Sequence, residues 1–235
     1  GYVPSGWSAE EIALRNIRYG IMPPDSGIFG NPFGEWIGAQ MRGAICGMLA
    51  PGNPEEAARL AWLDGQVSHF NNGIIGEVFN AVLVSLSFVE NDIRKIVRQC
   101  VEMIPSQCEY RSVVQFALDA CLKSDAWEPA WRMCEKRFEQ YNWIHAYPNA
   151  AAEVVALWFG NGDFDETVHI IAMEGQDVDC NAAQILTALG IITGIDGIRD
   201  EWKEPIGDEL KTYLRKYRTL SIKELAKQTA AAADA

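Results

Sequence analysis

The sequence predicts an all-α protein, an irregular bundle of about ten helices in one domain. Three observations carry this. Apolar residues recur every three or four positions along most of the 235 residues. These stretches open at capping residues and close at glycine or proline. No stretch shows the period-two alternation or the tight turn of a β-hairpin. No repeat of fixed period is present. The expected domain spans 1–235, with 1–30 as an arm or loop and 228–235 as a frayed tail.

The elements follow in order. Ser8-Ala9-Glu10-Glu11 reads as a capping box opening a helix to about Tyr19. Pro23, Pro24, Gly27, Gly30, Pro32 and Gly34 then crowd one long loop. Its Ile28, Phe29, Phe33 and Trp36 argue against disorder. Two readings stand side by side: faces that stack a base, or anchors to the core. A small-residue helix is expected from Trp36 to Leu49. Asn53-Pro54-Glu55-Glu56 caps the next, which ends near Gly65. Ser68 to Gly73 forms a turn before a buried helix over about Ile74–Val89. Asn91 opens a helix that Pro105 stops. Helices over Tyr110–Leu122 and Trp127–Phe138 precede the aromatic turn Tyr141–Asn149. Ala150–Phe159 is apolar and helical, and Asp163 or Asp165 opens a helix through Met173. After Trp202 two short helices are expected, the second capped by Ser221 with Glu224 three residues on.

Composition narrows function. The net charge of −12 argues against binding nucleic acid or an anionic membrane. The apolar run Val78–Val89 is too short to span a bilayer. No Cys-x-x-Cys pair occurs among six cysteines, which disfavours a structural zinc. Four of the six lie in apolar helical patterns and read as reduced thiols. With no leader sequence and no Asn-x-Ser/Thr sequon, the expectation is a cytoplasmic protein.

The most informative stretch is Gly175-Gln176-Asp177-Val178-Asp179-Cys180-Asn181. Asp177 and Asp179 precede an apolar run and sit where a helix begins. One reading is a helix cap, with Asp179 capping. The other is a site for a hard cation, since Mg2+ and Ca2+ want oxygen ligands. An EF-hand loop is a poor fit, because Ala182 and Ala188 fall where its glycine and glutamate belong. Among the histidines, His69 is a candidate ligand contact or a satisfied turn residue, and His145 and His169 read as structural. Arg42 could meet a phosphate, but the favoured role is holding a carboxylate. Glu77 is read as a carboxylate at a helix start rather than a buried one. No Ser-His-Asp, Cys-His or Gly-rich phosphate-binding arrangement is supported.

The Asp177 stretch, followed by Ala188-Leu189-Gly190, Thr193-Gly194, Trp202 and Pro205, resembles the C-terminal signature of the ADP-ribosylglycohydrolases, Gly-Gly-Asp-x-Asp-Thr. Upstream, Gly38-Ala39-Gln40-Met41-Arg42, then Pro51-Gly52-Asn53-Pro54-Glu55-Glu56-Ala57, then Ser68-His69 follow that family's motif order. The resemblance runs from about Asn31 to Trp202. It implies a magnesium-dependent glycosidase that frees ADP-ribose from a protein or small molecule. Asp177, Asp179 and Cys180 would then stand at metal positions, with two Mg2+ ions in the complete site. Gly34, Glu35, Trp36, Ile37, His69 and Gly175 would stand at substrate positions. Three departures matter. Gln176 replaces the motif's second glycine, Cys180 replaces the family's threonine, and Ile37 replaces its asparagine. The family's Thr-Asp-Asp-Thr motif and its catalytic carboxylate have no counterpart, since no Asp-Asp pair occurs. Three expectations therefore remain open: the C-terminal portion of a larger glycohydrolase, a partner chain that supplies the rest, or a non-catalytic binding relative. Hydrolysis of another nucleoside or sugar is the rival activity.

Overall fold

The computed structural model of the chain describes residues 6–233. Thirteen helices appear among them: α1 (Ser8–Arg18), α2 (Asp25–Ile28), α3 (Ala44–Leu49), α4 (Pro54–Gly65), α5 (Asn72–Leu86), α6 (Ile93–Met103), α7 (Glu109–Leu122), α8 (Trp127–Arg137), α9 (Ala146–Gly160), α10 (Phe164–Glu174), α11 (Val178–Thr193), α12 (Asp200–Lys203) and α13 (Ile222–Ala233). Two three-residue strands, β1 (Glu209–Lys211) and β2 (Thr219–Ser221), pair antiparallel. The fold is all-α, as the periodicity predicts. The hairpin was not expected. It lies where the first of two short helices was read, while the second is present as α13; the strands are too short to display alternation.

The core forms around α5 and α9. Every residue of α9 except Phe159 is buried, and most of α5 is too. Neither has a polar face, so each must be enclosed. α4, α3 and α11 pack on α5, and α6, α7, α8 and α10 surround α9. Close approach of α3 to α5 depends on Gly47, where a Cβ would fall 2.5 Å from the Ala81 carbonyl oxygen. All six cysteines are free thiols, with Cys46, Cys100, Cys121 and Cys134 buried.

The caps define several boundaries. The Asn53 side chain accepts from the Glu56 N–H at 3.2 Å, with Pro54 at the first helical position. Asp163, not Asp165, caps α10 by accepting from the Glu166 N–H at 2.8 Å. The Ser221 hydroxyl accepts from the Glu224 N–H at 3.1 Å. The capping box at Ser8 does not form. Ser8 is already the first residue of α1, and Glu11 instead accepts from the Gly6 N–H at 3.0 Å. The helix expected over Trp36–Leu49 is also interrupted. Trp36 joins a β-bridge with His145, a 3-10 turn spans Gln40–Arg42, and α3 begins only at Ala44.

Candidate metal and substrate site

Asp177 is the N-cap residue of α11, and Asp179 lies inside its first turn, which corrects the reading of Asp179 as the cap. Neither side chain caps the helix. Gly175, in the left-handed region at φ 73°, ends α10 and turns the chain into this loop. Ligand atoms of Asp177, Asp179 and Cys180 lie within 4.8 Å of one another, the one such cluster among the described residues. Burial and the Asp179 charge hold the Asp177 carboxyl above the usual carboxylate range. The Cys180 thiol is pushed up to about 12 by burial and by Asp177. It is therefore neutral, and it donates to the Met41 sulfur at 3.3 Å.

Asn149 fixes this loop. Its side-chain oxygen accepts from the Asp177 N–H at 3.0 Å and from Asn181 Nδ2 at 2.7 Å. Its Nδ2 donates to the carbonyls of Trp143 and His145, both at 2.8 Å. That turn in turn holds the substrate loop. The Ile37 N–H donates to the Ile144 carbonyl at 2.9 Å, and the Ala146 N–H donates to the Glu35 carbonyl at 3.0 Å.

A cavity of about 80 Å³ lies where these pieces meet. Trp36, Ile37, His69 and Asp177 line it, together with Ser8 to Glu10 of α1, Met41 and Ile144. Four sequence-predicted residues thus converge on one point. Asp179 and Cys180 sit beside Asp177 but off the lining. Three others stand apart. Glu35 accepts from the Asn72 N–H at 3.1 Å and from its side chain at 2.9 Å, which secures the start of α5. Gly34 is buried against the Phe70 ring, and Gly175 is exposed in its turn. A larger concavity, about 680 Å³, lies on α7 and α8. Its single carboxylate, Glu139, is already paired with Lys136, so it is not the candidate site.

Beneath the cavity sits a charged cluster. Arg42 donates to Glu10 at 2.7 Å, to Asp64 at 2.6 Å and to the Ser68 hydroxyl at 3.1 Å. It also donates to the Gly38 carbonyl at 3.0 Å, and Glu77 lies 3.7 Å away. Arg42 therefore holds carboxylates. Glu77 corrects the expectation of an exposed helix-start group: it lies in the second turn of α5 and is fully buried. Burial pushes its carboxyl up to about 9. His145 caps α9, its Nδ1 accepting from the Tyr147 N–H at 3.2 Å, and His169 packs edge-on against Trp127.

The sequence profile of the ADP-ribosylglycohydrolases matches residues 4–234. The chain belongs to the ADP-ribosylglycohydrolase family. Neither the curated proteins nor the solved structures contain a match to it. Membership makes the protein a hydrolase of a family that is in general metal-dependent. Two carboxylates at the mouth of a helix suit a hard cation, whereas a neutral thiol hydrogen-bonded to a thioether does not. Among the described residues no helix is long and apolar enough to cross a membrane.

Sequence reasoning missed Asn149, Glu10 and Ile144. Asn149 left one signal, a polar residue after Pro148 in the first turn of an apolar helix. Glu10 and Ile144 left none, because long-range packing brings them to the cavity.

Proposed function

We propose that this ADP-ribosylglycohydrolase relative hydrolyses an N- or O-glycosidic bond to ADP-ribose, on a protein or a small molecule, with Mg2+ held at Asp177 and Asp179. The observation that carries the reading is the convergence of Asp177, His69 and Trp36 on one cavity. Bound there, Mg2+ would polarise ribose oxygens and orient a water nucleophile. The chain's own residues do the rest. Asn149 aims the Asp177 loop, Trp36, Ile37 and Ile144 give the cavity dry walls, and His69 offers a polar edge to the sugar. At about 80 Å³ the cavity has room for two or three waters, so most of the ligand would lie outside it. The first N–H groups of α11 favour anionic groups close by. In this reading the proton-transferring carboxylate comes from a segment or chain beyond this sequence.

A second reading is favoured by Cys180, whose soft sulfur is a poor ligand for Mg2+ and lies against Met41. It is a relative that binds its ligand without turnover. One experiment separates the two. Calorimetric titration of Mg2+ into the wild type and into Asp177→Ala/Asp179→Ala is followed by a hydrolysis assay on ADP-ribosylated arginine and serine peptides. Binding lost in the double variant, with peptide cleavage by the wild type, supports the hydrolase. Mg2+ binding unchanged in the double variant sinks the metal assignment.

A further inference from the structure

The concavity of about 680 Å³ on α7 and α8 joins two kinds of surface. Phe116 and Met133 give it an apolar part, and Arg132, Lys136 and Arg137 a basic part. Its wall is anchored in the core. Phe116 packs edge-on against the buried Phe138 at 5.9 Å, and the Arg137 guanidinium lies over the same ring at 5.8 Å. Lys136 donates to both carboxylate oxygens of Glu139 at 2.8 Å, so those two charges cancel. Arg132 and Arg137 have no ion-pair partner among the described residues. The chain as a whole carries a net charge of −12 and repels acidic partners in general. Two unpaired guanidinium forks beside apolar surface mark the place where one would be accepted.

The groove runs toward the cavity. Gln140 borders the groove and Ile144 lines the cavity beside Asp177, so their Cα atoms are at most ~14 Å apart. The turn between them exposes Trp143 at 59 %. We propose that the groove on α7 and α8 docks an acidic segment of the protein substrate, whose carboxylates pair with Arg132 and Arg137 while its modified residue reaches the cavity. The spacing of the arginines favours a peptide. Their Cα atoms stand about 7.5 Å apart along the helix axis, close to the ~7 Å between alternate residues of an extended chain. Glu-x-Glu fits that spacing, whereas the two phosphates of one diphosphate lie closer together. Met133 is unbranched and exposed, so it adapts to whichever apolar side chain accompanies the acidic pair. Arg137 and Ile144 are at most ~25 Å apart, which puts the acidic pair within about seven residues of the modified one. The substrate is then a protein rather than a small molecule. That conclusion rests on the reading of the cavity as the glycosidase site; the charge preference of the groove does not.

The test uses the full chain and two fluorescein-labelled peptides of about twelve residues, one with Glu-x-Glu beside leucine and one with Gln-x-Gln in its place. Fluorescence polarisation should show the acidic peptide bound about tenfold more tightly, a difference lost in Arg132→Gln/Arg137→Gln and reduced by added salt. Both arginines are exposed, so the variant should melt with the wild type. Equal affinity for the two peptides, or acidic-peptide binding unchanged in the variant, overturns the proposal. Displacement of the peptide by an equal concentration of ADP-ribose also overturns it, since the occupant would then be a phosphate ligand. The second arm measures hydrolysis of ADP-ribosylated peptides with the same two flanks. The variant should raise KM about tenfold for the acidic flank and leave kcat, and the KM of the glutamine flank, unchanged. An equal loss on both flanks overturns substrate docking. No hydrolysis by the wild type removes the glycosidase reading, while the binding arm still decides the groove.

Discussion

The side-chain oxygen of Asn149 accepts the backbone N–H of Asp177 at 3.0 Å, across 28 residues of chain. This bond joins the most enclosed helix to the loop that bears the candidate metal ligands. Asn149→Ala would strand the Asp177 N–H and the carbonyls of Trp143 and His145. Urea unfolding should show a loss of about 3 kcal/mol, because stranded buried groups cost ~1–3 kcal/mol each and some relax to water. Mg2+ affinity should fall with it, measured by calorimetry where the variant remains folded.

Mg2+ should raise the melting temperature of the wild type, since a ligand of the native state stabilises by mass action, about 2.7 kcal/mol at a hundred times its dissociation constant. The shift should vanish in Asp177→Ala/Asp179→Ala. Scanning calorimetry with and without Mg2+ measures both.

Replacing the thiol tests the donor set from the other side. Cys180→Thr puts a hard oxygen where a neutral thiol now faces Met41. Mg2+ affinity should rise several-fold in that variant and stay unchanged in Cys180→Ala. A fall in Cys180→Ala would make the sulfur a ligand after all.

The buried carboxyls set a pH dependence. Glu153 is fully buried; its Oε1 accepts from Gln40 and Asn80, both at 3.2 Å, and its Oε2 has no partner. Burial pushes it up to about 8. The folded state thus binds a proton that the unfolded chain releases near the usual carboxylate value. The stabilisation is complete below that value and is lost as pH climbs to 8, at about 1.4 kcal/mol per unit. Glu77, pushed up to about 9, extends the window. Glu153→Gln should flatten the profile from about pH 5 to pH 8 and be the more stable protein at the alkaline end. Urea midpoints across that range measure it.

Arg42 offers a stability test away from the metal loop. Arg42→Ala leaves Glu10, Asp64 and Ser68 without their donor and should cost roughly 3 kcal/mol. Arg42→Lys should recover only part of this, because one ammonium cannot reach three directions from a fixed fork. Denaturant titration of both variants measures the order.

The helices were readable because their signals are local. Asn53, Asp163 and Ser221 cap as their sequence neighbourhoods require, and the apolar stripe of α6 needs no partner to be recognised. The misreadings arose where tertiary contacts overrule local preference. Trp36 and Ile37 look helical beside Gly38 and Ala39, yet the Ile37 N–H and the Glu35 carbonyl, on either side of Trp36, bond to the turn before α9. Glu77 resembles a helix-start carboxylate, yet α5 begins five residues earlier and encloses it. At the candidate site, motif order pointed to Asp177, Asp179, Cys180 and His69. The groups that orient them, Asn149 and Ser68, became visible only with their hydrogen-bond partners.

The bridge between Trp36 and His145 has a wider effect. It stitches two segments more than a hundred residues apart in the chain by two backbone hydrogen bonds at the rim of the cavity. The helices on either side are held by broad burial in the core, whereas this seam is two bonds wide and exists only while both segments are docked. Local opening of the seam costs far less than global unfolding. On warming, the pocket should therefore come apart while helicity is still intact, and the working temperature of the protein is set by a seam, not by its core.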